Sequence, residues 1–309
     1  MILLDGAALA KKLYLERQSK TQPFAGLSVI LVGQDPSSRI YVERKRKACV
    51  ANGIQSQIHL LPDHTTQEEL HTLIHQLNLD PKVTGILLQL PLPQHLDKFQ
   101  AVSHMDPTKD VDGLHPRNLG YLTQGIQAPH AIWPCTPLGC IRLVDSIFYE
   151  LRGKHAVVVG SSFLVGKPMA TMLTLRDATV TLCHKYTENL EWHVRSADLL
   201  VVAVGIPHLI PGNWVKEGAV VLDIGVNRLP DGSIVGDVEF EVAKNKAFAI
   251  TPVPGGVGPM TVAMLMENTL RAAHPLINRP IVGLSEEVTY GRDDRVRTLP
   301  REEKRATDT

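Results

Sequence analysis

In YVERKRK, residues 41–47, a tyrosine and a lysine stand four apart in a run that is mostly charge. Helical spacing, about 100° per residue, puts Tyr41, Lys45 and Ala48 on one stripe and turns Glu43, Arg46 and Lys47 elsewhere. Direction therefore separates Lys45 from the other basic residues, which composition does not. An ordinary lysine titrates near about 10.4 and is a poor proton carrier at neutral pH. Desolvation or a neighbouring cation brings such an amine toward roughly 7–8, where it can serve as acid or base. Arg44 and Arg46 are the cations next to it in the chain. The competing reading is one more solvated lysine on a charged helix face.

Three further polar features stand in apolar or constrained surroundings. GILLQLPLPQ places Gln89 in a strand otherwise made of Ile, Leu and Pro. A buried amide without partners costs about 1–3 kcal/mol, so Gln89 is either a satisfied structural residue or one that orients another side chain. KDVDG sets Asp110 and Asp112 two apart before Gly113. The rest of an EF-hand loop is missing, which leaves a turn pair or a carboxylate for a donor-rich heterocycle. ITPVPGGVGPMT packs prolines against glycines around Pro254, Gly255 and Gly256. Rigid chain with close backbone approach fits a loop against which a planar ligand lies.

HAVVVGSSFLVGKP reads as strand, tight turn and helix. Gly160 ends the strand, Ser161 and Ser162 follow, and Gly166 and Pro168 open the helix. Backbone amides at a helix N-terminus bind phosphate, and serine hydroxyls add donors. The pattern is not G-x-G-x-x-G, because serine replaces the second glycine and the third comes one position late. An NAD site places a carboxylate at the end of the next strand. Here that strand ends in CHKYT, with His184 and Lys185 in the acid's place. A basic residue there suits the 2′-phosphate of NADP, so NADP is expected over NAD.

The elements that must carry these residues are legible as short unbroken apolar runs. LSVILVG (27–33), TGILLQL (84–90), HAVVVG (155–160), ATVTLCH (178–184), DLLVVAVG (198–205) and AVVLDIGV (219–226) read as buried parallel strands. Helix-sized segments separate them, which is the βαβ pattern of an α/β fold. Asp35 is the expected N-cap of the helix that carries Tyr41 and Lys45, with Pro36 at its first turn and Gly53 past its end. A second unit begins near residue 137, where PCTPLGCIRLVDSIF reads as a long linking helix before GKHAVVVG opens a new sheet, and TVAMLMENTLRAA (261–273) returns as a long helix to the first unit. The expected division is 1–136 with 262–285, then 137–261, then a charged, mobile tail at 286–309.

Composition bounds the rest. The chain has 309 residues, 44% hydrophobic, and a formal net charge of zero, enough for two modest cores and without a pull toward nucleic acid or membrane. The apolar runs are too short to span a bilayer, and MILLDGAALAKK is not a secretory signal. Cys49, Cys135, Cys140 and Cys183 form no CxxC pair and read as reduced cytosolic thiols. His71 and His75 in HTLIH lack a third ligand, so no metal is expected.

Taken together, YVERKRKA, GILLQLPLP, KDVDGLHPRNLG, PCTPLG, VVVGSSFLVGKP, GDVEF and TPVPGGVGPMTVAMLMENT resemble the bifunctional methylenetetrahydrofolate dehydrogenase/methenyltetrahydrofolate cyclohydrolase family over roughly residues 1–275. The resemblance implies two α/β domains with a cleft between them, the second Rossmann-like and binding NADP. It implies a folate substrate, a cytoplasmic homodimer, and a role in one-carbon metabolism and purine biosynthesis. It makes Lys45 the catalytic lysine, Tyr41 the ring that stacks on the folate, Gln89 the partner of the lysine and Asp112 the holder of the pterin. Gly160, Ser161, Ser162 and Val226 match cofactor contacts, and Lys185 a position near the 2′-phosphate. Two departures lie near the cofactor ribose: Ser161 often has arginine or another residue in its place, and CHKYT differs from the commoner CHS start.

Three rival readings are distinguishable. Short-chain dehydrogenases also use Y-x-x-x-K, but their nucleotide-binding glycines precede the tyrosine, whereas Tyr41 precedes Gly160 here. A non-catalytic nucleotide-binding module would have no need of Tyr41, Lys45, Gln89 and Asp112 together. A cyclohydrolase with weak or lost dehydrogenase activity would keep those four and differ in the cofactor turn.

Overall fold

The computed structural model describes residues 1–18, 24–126, 128 and 130–274. The expected tail at 286–309 lies outside the described residues, as does the 275–285 end of the first unit.

Chain order begins with a short strand β1 (Ile2–Leu3), helix α1 (Gly6–Gln18), strand β2 (Gly26–Val32) and helix α2 (Pro36–Ala51). β3 (Gln55–Leu61), α3 (Gln67–Leu79), β4 (Gly85–Leu88), α4 (Lys98–Ser103) and α5 (Pro116–Thr123) follow. β2 is the centre of a parallel sheet ordered β3-β2-β4. Every residue of β2 and β4 is buried, as an unbroken apolar run requires. β3 is not among the expected strands. Its sequence QSQIHLL is half exposed, so it alternates and contains no apolar run.

α2 begins where its caps dictate. Asp35 accepts a hydrogen bond from the Ser38 amide at 2.7 Å, and Pro36 is in the first turn. Gly53 follows the helix at φ +68°, a left-handed conformation that glycine adopts without strain.

α6 (Cys135–Asp145) leads into the second sheet, built from β5 (His155–Val159), α7 (Gly166–Thr174), β6 (Thr179–Cys183), α8 (Leu190–Ser196), β7 (Leu199–Val202) and β8 (Val220–Asp223). A β9–β10 hairpin (Asn227–Arg228 and Ile234–Val235), α9 (Phe240–Ala243), β11 (Ala249–Ile250) and α10 (Val257–Ala273) complete the described chain. The sheet is parallel, in the order β1-β11-β8-β7-β5-β6. Its strand β5 has β6 on one side and β7 on the other. The order reverses there, which opens a crevice at the carboxyl ends of β5 and β7. β1 belongs to this sheet, so the chain starts at the second sheet's edge before building the first unit.

α10 starts four residues earlier than the expected 261 and ties the units together. It packs on α1, α2 and α6. The core cluster that holds its Met260, Met264 and Leu265 runs from Val29 and Leu31 of β2 to Val158 of β5 and Val201 of β7. No described helix is long and apolar enough to cross a membrane.

Candidate active site

A cavity of about 340 Å³ opens between the two sheets. α2 contributes Ser38, Tyr41 and Lys45 to its wall, and the β4 end contributes Gln89. Asp112 and Cys135 enter from the loop before α5 and the start of α6. The opposite wall is Leu164, Val165 and Val226 from the second unit, and α10 supplies Val257, Gly258 and Thr261. One wall is thus polar and able to move protons, and the facing wall is apolar.

The amine of Lys45 donates to Gln89 Oε1 at 2.9 Å. Gln89 is buried, and its own amide donates to the Leu90 carbonyl at 2.7 Å, which fixes its oxygen toward the lysine. A neutral acceptor holds the amine in direction without supplying a counter-charge. Burial pushes the Lys45 amine down from the ordinary lysine range, against the opposing pull of Asp112. The expected help from neighbouring arginines is absent. Arg44 and Arg46 are exposed, Arg46 is paired with Glu43 at 2.7 Å, and the Arg44 guanidinium lies 6.0 Å from the Tyr41 ring centre. Desolvation alone lowers the amine.

The two aspartates of KDVDG separate cleanly. Asp110 is buried and accepts from the His115 amide at 2.7 Å and from Asn118 at 3.1 Å. Burial raises its carboxyl to about 6. It is the turn's structural member, and Asp112 is the one in the cavity. Gly113 between this turn and α6 has φ +72°, and a Cβ there would meet the Trp133 carbonyl carbon at 2.4 Å. Sequence reading missed the support behind Asp112. Asn268 of α10, buried in an otherwise apolar helix face, donates to the carbonyls of Val111 at 2.9 Å and Trp133 at 3.0 Å. An asparagine inside TVAMLMENTL was the available signal.

At the crevice between β5 and β7, Gly160 has φ +109°, and a Cβ there would meet the Ala203 carbonyl oxygen at 2.3 Å. A Cβ on Gly166 would meet the Gly160 oxygen at 1.7 Å. Only glycine allows this close packing of strand end and helix start, the geometry that presents amides to a phosphate. Ser162 accepts from the Val165 amide at 3.2 Å, and Ser161 lies beside it. Lys185 is exposed just beyond β6, its amine 4.7 Å from the Tyr186 ring centre. The residues therefore fit a dinucleotide. Of the predicted cofactor positions, Val226 alone lines the cavity, and Gly160, Ser161, Ser162 and Lys185 stand outside it. In the proline–glycine loop the cavity wall begins at Val257 and Gly258, after Pro254, Gly255 and Gly256. Gly255 instead accepts the Ala7 amide at 3.0 Å, at the start of α1. His71 stacks on His104 with ring centres 4.1 Å apart, and no group of three potential metal ligands occurs among the described residues.

A Rossmann-type crevice beside a cavity that holds a part-buried lysine–glutamine pair defines a two-domain nucleotide-dependent enzyme of the α/β class. Residues 4–112 match the tetrahydrofolate dehydrogenase/cyclohydrolase catalytic domain, and residues 134–276 match the NAD(P)-binding domain of the same name. The chain belongs to the tetrahydrofolate dehydrogenase/cyclohydrolase family. It is similar to the bifunctional methylenetetrahydrofolate dehydrogenase/cyclohydrolase of Campylobacter jejuni, with 49% identity over 88% of this chain and 98% of that one and a TM-score of 0.86. The Trypanosoma brucei enzyme, solved with NADP and an inhibitor, is 41% identical over 88% and 97% of the two chains at TM-score 0.82. A methylenetetrahydrofolate dehydrogenase of the silkworm Bombyx mori is 39% identical over 90% and 99%, also at 0.82.

Proposed function

We propose that this protein oxidises 5,10-methylenetetrahydrofolate to the methenyl form with NADP and then hydrolyses that product to 10-formyltetrahydrofolate. The observation that carries the reading is the 2.9 Å pair of Lys45 and Gln89 in a cavity whose other wall belongs to the nucleotide-binding unit. NADP, when bound, supplies the acceptor for the hydride. The turn at Gly160, Ser161 and Ser162 would hold its phosphates, with Val226 beside it and Lys185 toward the 2′-phosphate. The protein's part in this step is alignment, because the reactivity is the cofactor's.

The second step needs proton transfer. Water attacks the methenyl carbon as the neutral Lys45 amine takes a proton from that water, and the carbon–N5 bond then breaks as N5 takes a proton, which leaves the formyl group on N10. Gln89 keeps the amine's lone pair aimed into the cavity. The cationic substrate itself favours the neutral amine, acting in the same direction as burial. Tyr41 offers a ring for the pterin to stack on, and Asp112 accepts from its donor-rich edge. The Pro254–Gly256 turn leads directly into Val257 and Gly258 of the cavity wall, which supports reading it as a loop that holds those two residues against the substrate.

An absorbance assay with methylenetetrahydrofolate and NADP tests the reading, and a lack of both NADPH and formyl product would refute it. Lys185→Ala is expected to raise the KM for NADP about fivefold to tenfold, the loss of one charge-assisted contact, with little change for NAD. Equal effects on the two nucleotides would remove Lys185 from the 2′-phosphate.

We further infer a cytoplasmic homodimer that supplies formyl groups to reactions such as those of purine biosynthesis. The four cysteines are free and buried, as suits a reducing compartment. β3 is the last strand of its sheet, and Leu60 on it is 65% exposed, an edge that a second copy could cover. Light scattering is expected to give twice the mass of one chain, and a monomer at micromolar concentration would exclude the assignment.

A further inference from the structure

The cofactor turn touches the first unit through a bulky side chain. Phe163 lies between Gly160 and Gly166, where the backbone must stay tight, and its ring leaves its own unit. It meets Phe99 of α4 with ring centres 4.9 Å apart and planes tilted by 53°. The Lys98 amine lies over both rings, 5.3 Å from Phe99 and 5.1 Å from Phe163. Phe163 and Leu164 pack against the first unit's core cluster, which also receives Leu90 and Leu92. Leu90 directly follows Gln89, and Leu164 lines the cavity.

We propose that Phe99, Lys98 and Phe163 form a clasp that holds the cofactor turn against the folate-binding unit, so that Phe99 is a positioning residue for the dehydrogenase step alone. The inference rests on the dehydrogenase–cyclohydrolase reading for its kinetic consequence, and on geometry alone for the contact. Hydride transfer requires donor and acceptor to be aligned across the cleft, and small displacements there are costly. Hydrolysis uses Lys45, Gln89 and Asp112, all on the first unit. The clasp therefore separates the two activities. Phe99 is 57% exposed, so its truncation leaves the core intact.

The test is Phe99→Ala in the full chain, with Phe99→Tyr as the conservative variant. In Phe99→Ala the KM for NADP is expected to rise about fivefold to tenfold, the worth of one aromatic contact with its cation. Hydrolysis of preformed methenyltetrahydrofolate stays within about twofold of wild type, and Phe99→Tyr restores the NADP KM. Amide hydrogen exchange of residues 161–167 without ligand becomes faster in Phe99→Ala than in wild type. Unchanged exchange there, or equal loss of both activities, overturns the clasp. If the wild type itself fails to reduce NADP, the functional reading falls, and the exchange comparison alone decides whether the clasp holds the turn.

Discussion

Lys45→Met is expected to lower methenyltetrahydrofolate hydrolysis by about 10²–10⁴-fold, the range a positioned general base contributes. The substitution keeps an unbranched side chain of similar reach in α2. It removes the amine and with it the bond to Gln89. NADP binding stays at the wild-type value, because the turn from Gly160 to Gly166 is on the other wall. Lys45→Arg provides the sharper comparison. Arginine preserves charge and hydrogen-bond donors but has no neutral form near pH 7. If only a cation were needed, Lys45→Arg would retain hydrolysis. A required lone pair predicts that it fails like Lys45→Met. The pH dependence follows from the same cause. Burial lowers the folded-state pKa of the amine, so the neutral form gains as pH rises through a value below about 10.4. Wild-type hydrolysis rises with pH over that limb, and the limb is missing from either variant.

Asp237→Ala is expected to destabilise the chain by at least about 3 kcal/mol, because it leaves several buried donors unsatisfied at about 1–3 kcal/mol each. Asp237 is fully buried and accepts four hydrogen bonds. They come from the amides of Val204 at 2.7 Å, Gly205 at 2.9 Å and Ile206 at 3.0 Å, and from the side chain of Asn227 at 2.9 Å. Its neighbour Asp223 accepts from the amides of Gly225, Asp237 and Val238. Burial, with Asp237 adding to it, raises Asp223 to about 6. Alanine at 237 leaves three loop amides without their acceptor. Those amides follow β7 at the crevice, so cofactor affinity falls with stability. Urea unfolding checks the prediction. A midpoint unchanged from wild type would mean that water replaces the carboxylate at no cost.

The sequence carried the strands that are buried on both faces, because each is an unbroken apolar run; β6, expected buried in ATVTLCH, is instead the sheet's edge strand with only Cys183 buried. It carried the caps of α2 through Asp35 and Gly53, and hence the face on which Tyr41 and Lys45 lie. Gln89 was visible as an amide among leucines. What it hid depends on pairing across distance. β3 alternates because only one side is covered. Asp223 and Asp237 sit in separate motifs, DIGVN and GDVEF, and meet only once the β9–β10 hairpin folds the chain back. The glycines at 225 and 236 admit them. A Cβ on Gly225 would meet Asp237 Oδ1 at 2.0 Å, and one on Gly236 would meet Asp223 Oδ2 at 1.9 Å. Neither does the local sequence tell how solvent reaches Lys45. Arg44 and Arg46 are adjacent in the chain and point away, while Asp112 and Cys135, distant in the chain, enclose the amine. Nothing local links Phe99 to Phe163 until the units come together.

The claim beneath the functional reading is that one lysine amine is kept out of water and held by an uncharged partner. Its most direct measurement is a ¹³C NMR titration of the protein with its lysine ε-carbons labelled, comparing wild type with Lys45→Met. The resonance that vanishes in the variant is predicted to titrate below the ordinary lysine range. If that resonance instead titrates near about 10.4 like a solvated lysine, the account of hydrolysis is wrong.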